Sequence, residues 1–155
     1  MSTPEQVSFA VLIAALVNEL GFDGADSDDE DFFRFTIGEM PFTLFRKGAM
    51  VMCYSALGAM PDDPEEAASL SAMLLSANAL FRGTGEACIG VTAEDGTITL
   101  CWQSRMRGLS EGDFLGAVEN FVKLTDYWTD RIAKLEKPGA GDTPAFVAPM
   151  FMNLA

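Results

Sequence analysis

Histidine is absent from the 155 residues. Its absence removes the commonest general base and the commonest zinc ligand at once, and with them the Ser-His and Cys-His nucleophile systems. Basic residues are scarce: ten against 23 acids, for a formal net charge of −13. None of the ten occurs before Arg34, whereas the first 33 residues carry eight acids. Nucleic acid and anionic membranes are bound by clustered Lys and Arg that replace counterions, and no such cluster exists here. Apolar residues 7–17 (VSFAVLIAALV) make too short a run to cross a bilayer. Glu5 stands where a signal peptide needs positive charge. The expectation is a cytoplasmic protein with no membrane insertion and no nucleic-acid partner.

Cysteine is sparse and oddly numbered. Cys53, Cys88 and Cys101 match no metal-knuckle spacing, and each sits inside an apolar run. They are expected to be reduced, buried, small hydrophobes. No metal site and no cofactor are expected. The acidic stretch 22–30 (FDGADSDDE) offers Asp26, Asp28 and Glu30 at the first, third and fifth places of a calcium loop. The Gly and Glu that such a loop needs at its sixth and twelfth places are replaced by Asp31 and Ile37, so a solvated charge run is the better reading. Gly83-Thr84-Gly85 lacks the Gly-Lys-Ser/Thr ending of a phosphate loop and follows a helix rather than a strand. Carboxylates abound, but no spacing singles out an acid–base pair.

What is present is enough apolar residue, 49%, to build one ordinary domain without a disulfide or metal staple. Residues 3–20 read as a helix with a Thr3-Pro4-Glu5-Gln6 capping box and Gly21 as its stop. This helix is apolar on nearly all sides, so more than its own sheet must cover it. Three alternating runs follow, at 31–37, 40–47 and 50–57, joined by Gly38-Glu39 and Gly48-Ala49, as in an antiparallel meander. A second helix runs from Pro64 to about Phe81, capped by Asp63. Strands at 87–92 and 97–102 meet through Glu94-Asp95-Gly96. A third helix starts at Ser110, with Asp113 completing a capping box, and reaches Leu135. The order is α-β-β-β-α-β-β-α: an α+β fold with a twisted, mainly antiparallel five-stranded sheet and three helices. A Gly/Pro break at 138–142 separates residues 1–137 from an uncharged apolar tail that ends at residue 155.

That order, on an acidic chain of this size, resembles the Tir-chaperone family of class I type III secretion chaperones. The stretch from Leu74 to Leu135 carries most of the likeness. A helix ends near Asn78, Gly85 precedes the strand Ile89-Gly90-Val91, and Asp95-Gly96 makes an acidic turn. Ile98 and Leu100 mark a short strand, Leu109-Ser110 opens the last helix, and Phe121 and Trp128 lie within it. The ordered set carries the resemblance, over about residues 5–135. The apolar tail and the unusually apolar first helix depart from the family pattern. The resemblance implies a homodimer, built around the second helix and nearby strands, that holds the extended N-terminal region of a secreted effector. It implies no ATP, metal or covalent step, and no enzyme activity. A regulatory or scaffold protein using the same dimeric fold is the alternative.

Alternation and helix faces supply candidate residues. The strand face opposite the core is expected to offer Phe32, Phe45, Val51 and Cys53 among Arg34, Thr43 and Lys47. An apolar patch there marks either an effector groove or ordinary packing of a dimer mate or the tail. Val7 and Val11 would extend the patch from the first helix. Leu70, Met73, Leu74, Ala77, Phe81 and Ile89 are the candidates for the dimer interface. In the tail, Phe146, Met150, Phe151 and Leu154 are candidates to dock in a groove that an effector would otherwise fill.

Overall fold

Local signals start and stop the helices of the computed structural model, which describes residues 7–21 and 30–135. Helix α1 spans Phe9–Leu20. Ser8 caps it, its hydroxyl accepting from the Val11 N–H at 3.3 Å. The helix therefore begins after Ser8, and the expected Thr3 capping box lies outside the described residues. Gly21 ends α1 in the left-handed conformation (φ 68°) that a side chain disfavours, its N–H donating to the Val17 carbonyl.

Helix α2, Pro64–Asn78, starts at Asp63, whose Oδ1 accepts from the N–H groups of Glu65 and Glu66, each at 2.9 Å. It stops three residues earlier than expected. A single 3₁₀ turn, Ala79–Phe81, follows it, with Leu80 at φ 56° and Phe81 at φ 55°. Helix α3, Glu111–Leu135, opens on the expected capping box: the Asp113 N–H donates to Ser110 Oγ at 3.0 Å and that hydroxyl donates to Asp113 Oδ2 at 2.7 Å.

The strands are β1 (Phe32–Ile37), β2 (Met40–Lys47), β3 (Met50–Ala59), β4 (Cys88–Val91) and β5 (Thr97–Arg105). They form a five-stranded antiparallel open sheet in the order β1-β2-β3-β5-β4. Element order and sheet are those the sequence predicts.

The chain divides into two compact units: residues through Ser55 with Trp102–Lys123, and Ala56–Cys101 with the residues from Leu124 on. The first unit's core holds Leu12 and Leu16 of α1, Phe33, Phe35, Phe42, Leu44, Val51 and Cys53 of the meander, and Phe114 and Phe121 of α3. Phe35 stacks on Phe42 (centroids 5.1 Å apart), and Phe42 meets Phe121 edge-on at 6.1 Å. In the second unit Leu70, Leu74 and Ala77 of α2 are buried with Ile89, Ile98, Leu100, Trp128 and Ile132. The Trp128 indole N–H donates to the Gly83 carbonyl at 2.9 Å. Gly83 packs so closely on Ala77 that an added Cβ would lie 2.8 Å from the Ala77 Cβ.

The meander's register corrects one expectation. Two-residue turns pair Ile37 with Met40 and Lys47 with Met50. Phe33, Leu44 and Cys53 therefore line up on one face, and Phe32, Phe45 and Met52 on the other. Val51 and Cys53, expected on the outer face, are buried at 0% and 1% exposure, and Met52 and Tyr54 take their places outside. A second correction concerns the thiols. Only Cys53 is buried; Cys101 is half-buried and Cys88 is exposed.

Candidate binding surface

The first unit presents three features side by side. One is the β1 edge of the sheet, which no other described strand covers. The Arg46 N–H donates to the Asp31 carbonyl at 2.9 Å, which sets the hydrogen-bonding phase of the β1–β2 ladder. Phe33, Phe35 and Ile37 then turn their main-chain groups to β2, and Phe32, Arg34 and Thr36 turn theirs outward along the edge. A peptide laid along β1 would meet those N–H and C=O groups as a ready template.

Beside the edge runs an aromatic strip. Phe32 stacks on Phe45 with ring centroids 5.7 Å apart, and Phe45 meets Tyr54 edge-on at 5.9 Å. Phe32 and Tyr54 remain 39% and 37% exposed, so the strip is not closed over by its own unit. Arg34, exposed, sits opposite Thr43 in the same strand pair.

The third feature is an open cleft of about 580 Å³ between α1 and β1. Phe9, Ile13, Val17, Phe32 and Phe33 give it an apolar lining, and Ser8, Glu30 and Arg46 stand at it as polar groups. Arg46 is held by Asp31, whose Oδ1 accepts from its Nε at 2.7 Å. Both partners are about half exposed, so this ion pair orients the guanidinium more than it stabilises the fold. Val11 is 43% exposed on α1, and Val7 is half-buried just before the cap.

Of the residues predicted for partner binding, the structure thus brings Phe32, Arg34 and Phe45 together, leaves Val7 and Val11 partly open, and consigns Val51 and Cys53 to the core. Sequence reasoning missed Met52, Tyr54 and the cleft. Met52 and Tyr54 were recoverable from hairpin arithmetic, because a two-residue turn after Lys47 puts Phe45 opposite Met52.

This fold and surface have known counterparts. The model of the Tir chaperone protein (CesT) family matches residues 11–129. The chain belongs to that family. No curated protein matches it by sequence. Among solved structures, a chain of the ExsC-ExsE complex superposes with a TM-score of 0.64 at 16% identity, over 77% of this chain and 89% of that one. A chain of the heterodimeric ExoU-SpcU complex, from the type III secretion system of Pseudomonas aeruginosa, gives 0.61 at 18% identity, over 81% and 98%. YbjN, a putative transcription regulator from E. coli, gives 0.61 at 12% identity, over 85% and 96%. At such identities these likenesses establish a shared fold.

The second unit of this Tir-chaperone family member carries a different kind of surface. Leu70, Leu74, Ala77 and Ile89, expected to face a dimer mate, are buried in the single chain, and Met73 is half-buried. Helical spacing identified the core-facing stripe of α2 rather than an exposed one. Of the expected set only Phe81 is exposed, at 61%, with Leu75 and Leu80 also largely open. Leu80 and Phe81 hold left-handed backbone, which costs a bulky residue on the order of 1–3 kcal/mol each. The strain presents two apolar side chains to the outside.

The shifted titrating groups have local partners. The Thr92 hydroxyl, then the Thr97 N–H, hold the Asp95 carboxyl below its ordinary range at the β4–β5 turn. Lys123 does the same to Glu119 one helical turn away. Among the described residues no three His, Cys, Asp or Glu side chains group to hold a metal ion. No described helix is long and apolar enough to cross a membrane. The candidate tail residues Phe146, Met150, Phe151 and Leu154 lie outside the described residues.

Proposed function

We propose that the chain is a cytoplasmic chaperone of type III secretion that holds the N-terminal region of an effector in extended form, with no catalytic step. The observation that carries this reading is the β1 edge, uncovered among the described residues, lying beside the exposed Phe32-Phe45-Tyr54 strip in a member of the Tir chaperone family. Main-chain hydrogen bonds to Phe32, Arg34 and Thr36 would supply affinity without demanding sequence, and apolar effector side chains would take the strip and the α1–β1 cleft. The net charge of −13 favours a basic or neutral effector segment. A second copy of the chain is the proposed occupant of the Leu75-Leu80-Phe81 surface, giving a homodimer. The apolar tail is proposed to compete for the effector groove.

The test is co-purification from the native bacterium with mass spectrometry of near-stoichiometric partners. One secreted protein, bound through its N-terminal segment to two copies of this chain, is the expected result. Recovery of cytoplasmic regulators alone would overturn the reading. It would favour the regulatory or scaffold role, for which the fold shared with YbjN leaves room.

A further inference from the structure

The two strands β4 and β5 place two thiols directly opposite each other: Cys88 and Cys101 are cross-strand partners. Ile89 and Val91 share a sheet face with the buried Leu100 and Ile98, so Cys88 and Cys101 lie together on the other face. Their neighbours there are Gly90, which brings no side chain, and its partner Thr99; a Cβ added at Gly90 would meet nothing within 4 Å. Cys88 is exposed and Cys101 is half-buried.

The ladder's phase fixes the separation. Asn78 takes both main-chain groups of Ile89: its amide donates to the Ile89 carbonyl at 2.7 Å, and its Oδ1 accepts from the Ile89 N–H at 2.8 Å. Those groups therefore turn away from β5, and Cys88 is a hydrogen-bonded partner of Cys101. Such partners stand about 5.5 Å apart at Cα, inside the range a disulfide accepts. Their Cβ atoms stand up to about 5.5 Å apart, against about 3.8 Å in a relaxed disulfide. A bond between them closes only by drawing the strands together, and such strain makes it easily reduced again.

We propose that Cys88 and Cys101 form a reversible modification site: a dithiol that a peroxide closes into a cross-strand disulfide at the β4 edge. The Cys88 thiolate attacks one peroxide oxygen, the O–O bond breaks, and the first water leaves after taking up a proton. The sulfur of Cys101 then attacks the Cys88 sulfenic acid, the S–O bond breaks, and the second water leaves with the thiol proton. The two sulfurs together lose two electrons and the peroxide gains them. Burial, and then Cys88 beside it, push the Cys101 thiol up, which leaves the exposed Cys88 as the attacking group. In a reducing cytosol the pair rests as thiols and closes only when oxidant rises. Cys53, 1% exposed, stays out of the reaction.

The experiment uses the full reduced chain, treated with a few equivalents of hydrogen peroxide, then denatured and alkylated with N-ethylmaleimide. Before alkylation the intact mass should drop by two hydrogens; after it, thiols labelled per chain should fall from three to one, and dithiothreitol should restore all three. The linked peptide should join Cys88 to Cys101. Cys88→Ser, a change at an exposed position, should keep both remaining thiols after the same treatment. An interchain disulfide, oxidation of Cys88 to a sulfinic acid with Cys101 still labelled, or loss of both thiols in Cys88→Ser would overturn the proposal.

Discussion

The two edges of this sheet are finished in opposite ways. At β4 the strand is four residues long, and Asn78 reaches from the end of α2 to occupy both main-chain groups of Ile89. An edge closed by a side chain cannot accept another strand at that residue. At β1 the strand is six residues long, and Phe32, Arg34 and Thr36 face outward along its free side. Proteins usually protect such an edge against unwanted pairing. Here no described strand covers the edge, and exposed aromatic rings lie beside it, as the proposed binding of an extended chain would require. Edge protection is thus uneven among the described residues: Asn78 seals β4 at Ile89, and no described strand or side-chain bond seals β1.

Proline substitutions should break the comparison most sharply. Phe35 turns its N–H to β2 and its ring is buried, so Phe35→Pro loses a ladder bond and a core aromatic. We expect a loss of at least about 3 kcal/mol, read as collapse of the cooperative urea transition. One residue on, Thr36→Pro removes an N–H that faces outward. The fold should stay within about 1 kcal/mol of wild type, because an edge strand tolerates proline on its open side. Effector affinity should nevertheless fall at least about tenfold, by titration calorimetry against an effector N-terminal peptide, as a strand-addition hydrogen bond is lost.

Opening the sealed edge should have the next largest effect. Asn78→Ala leaves the N–H and C=O of the buried Ile89 unpaired, at a cost of about 2–4 kcal/mol in denaturant unfolding. The molecules that remain folded should self-associate with concentration in sedimentation velocity, since β4 would then offer a second template. Gly83→Ala tests the loop that carries this seal. The new methyl would collide with Ala77 and crowd Trp128, so a thermal-melt deficit of about 1–3 kcal/mol is expected.

The smallest effect is at the β4–β5 turn. Hydrogen bonds from Thr92 and then Thr97 hold the folded-state Asp95 carboxyl below its ordinary, unfolded-state value. Its stabilisation is therefore present above that unfolded value and disappears as pH falls through the lower folded one. Stability measured between pH 5 and pH 2 should slope slightly less in Asp95→Asn than in wild type. An equal slope would assign the acid sensitivity to other carboxylates.

Much of this was legible beforehand because it is written in local chemistry. Asp63 before Pro64-Glu65-Glu66, Ser110 three residues before Asp113, and Glu94-Asp95-Gly96 between apolar runs specify caps and turns within four residues of chain. Other placements were not legible in the sequence, for physical reasons. Alternation says which residues share a face of one strand but not which face meets the core, and Val51 and Cys53 were misplaced for that reason. Helical spacing finds the apolar stripe of α2, and an apolar stripe is first of all what a unit buries for itself, as Leu70, Leu74 and Ala77 show.

By itself, then, the sequence determined the element order, the helix caps, the turns and the absence of histidine chemistry, since each depends on residues near one another in the chain. Only the tertiary structure decided which aromatic rings stay outside, that Asn78 seals one edge while no described strand covers β1, and that Cys88 faces Cys101. Those outcomes depend on strand register and on contacts between residues far apart in the chain, and local propensity carries no information about either.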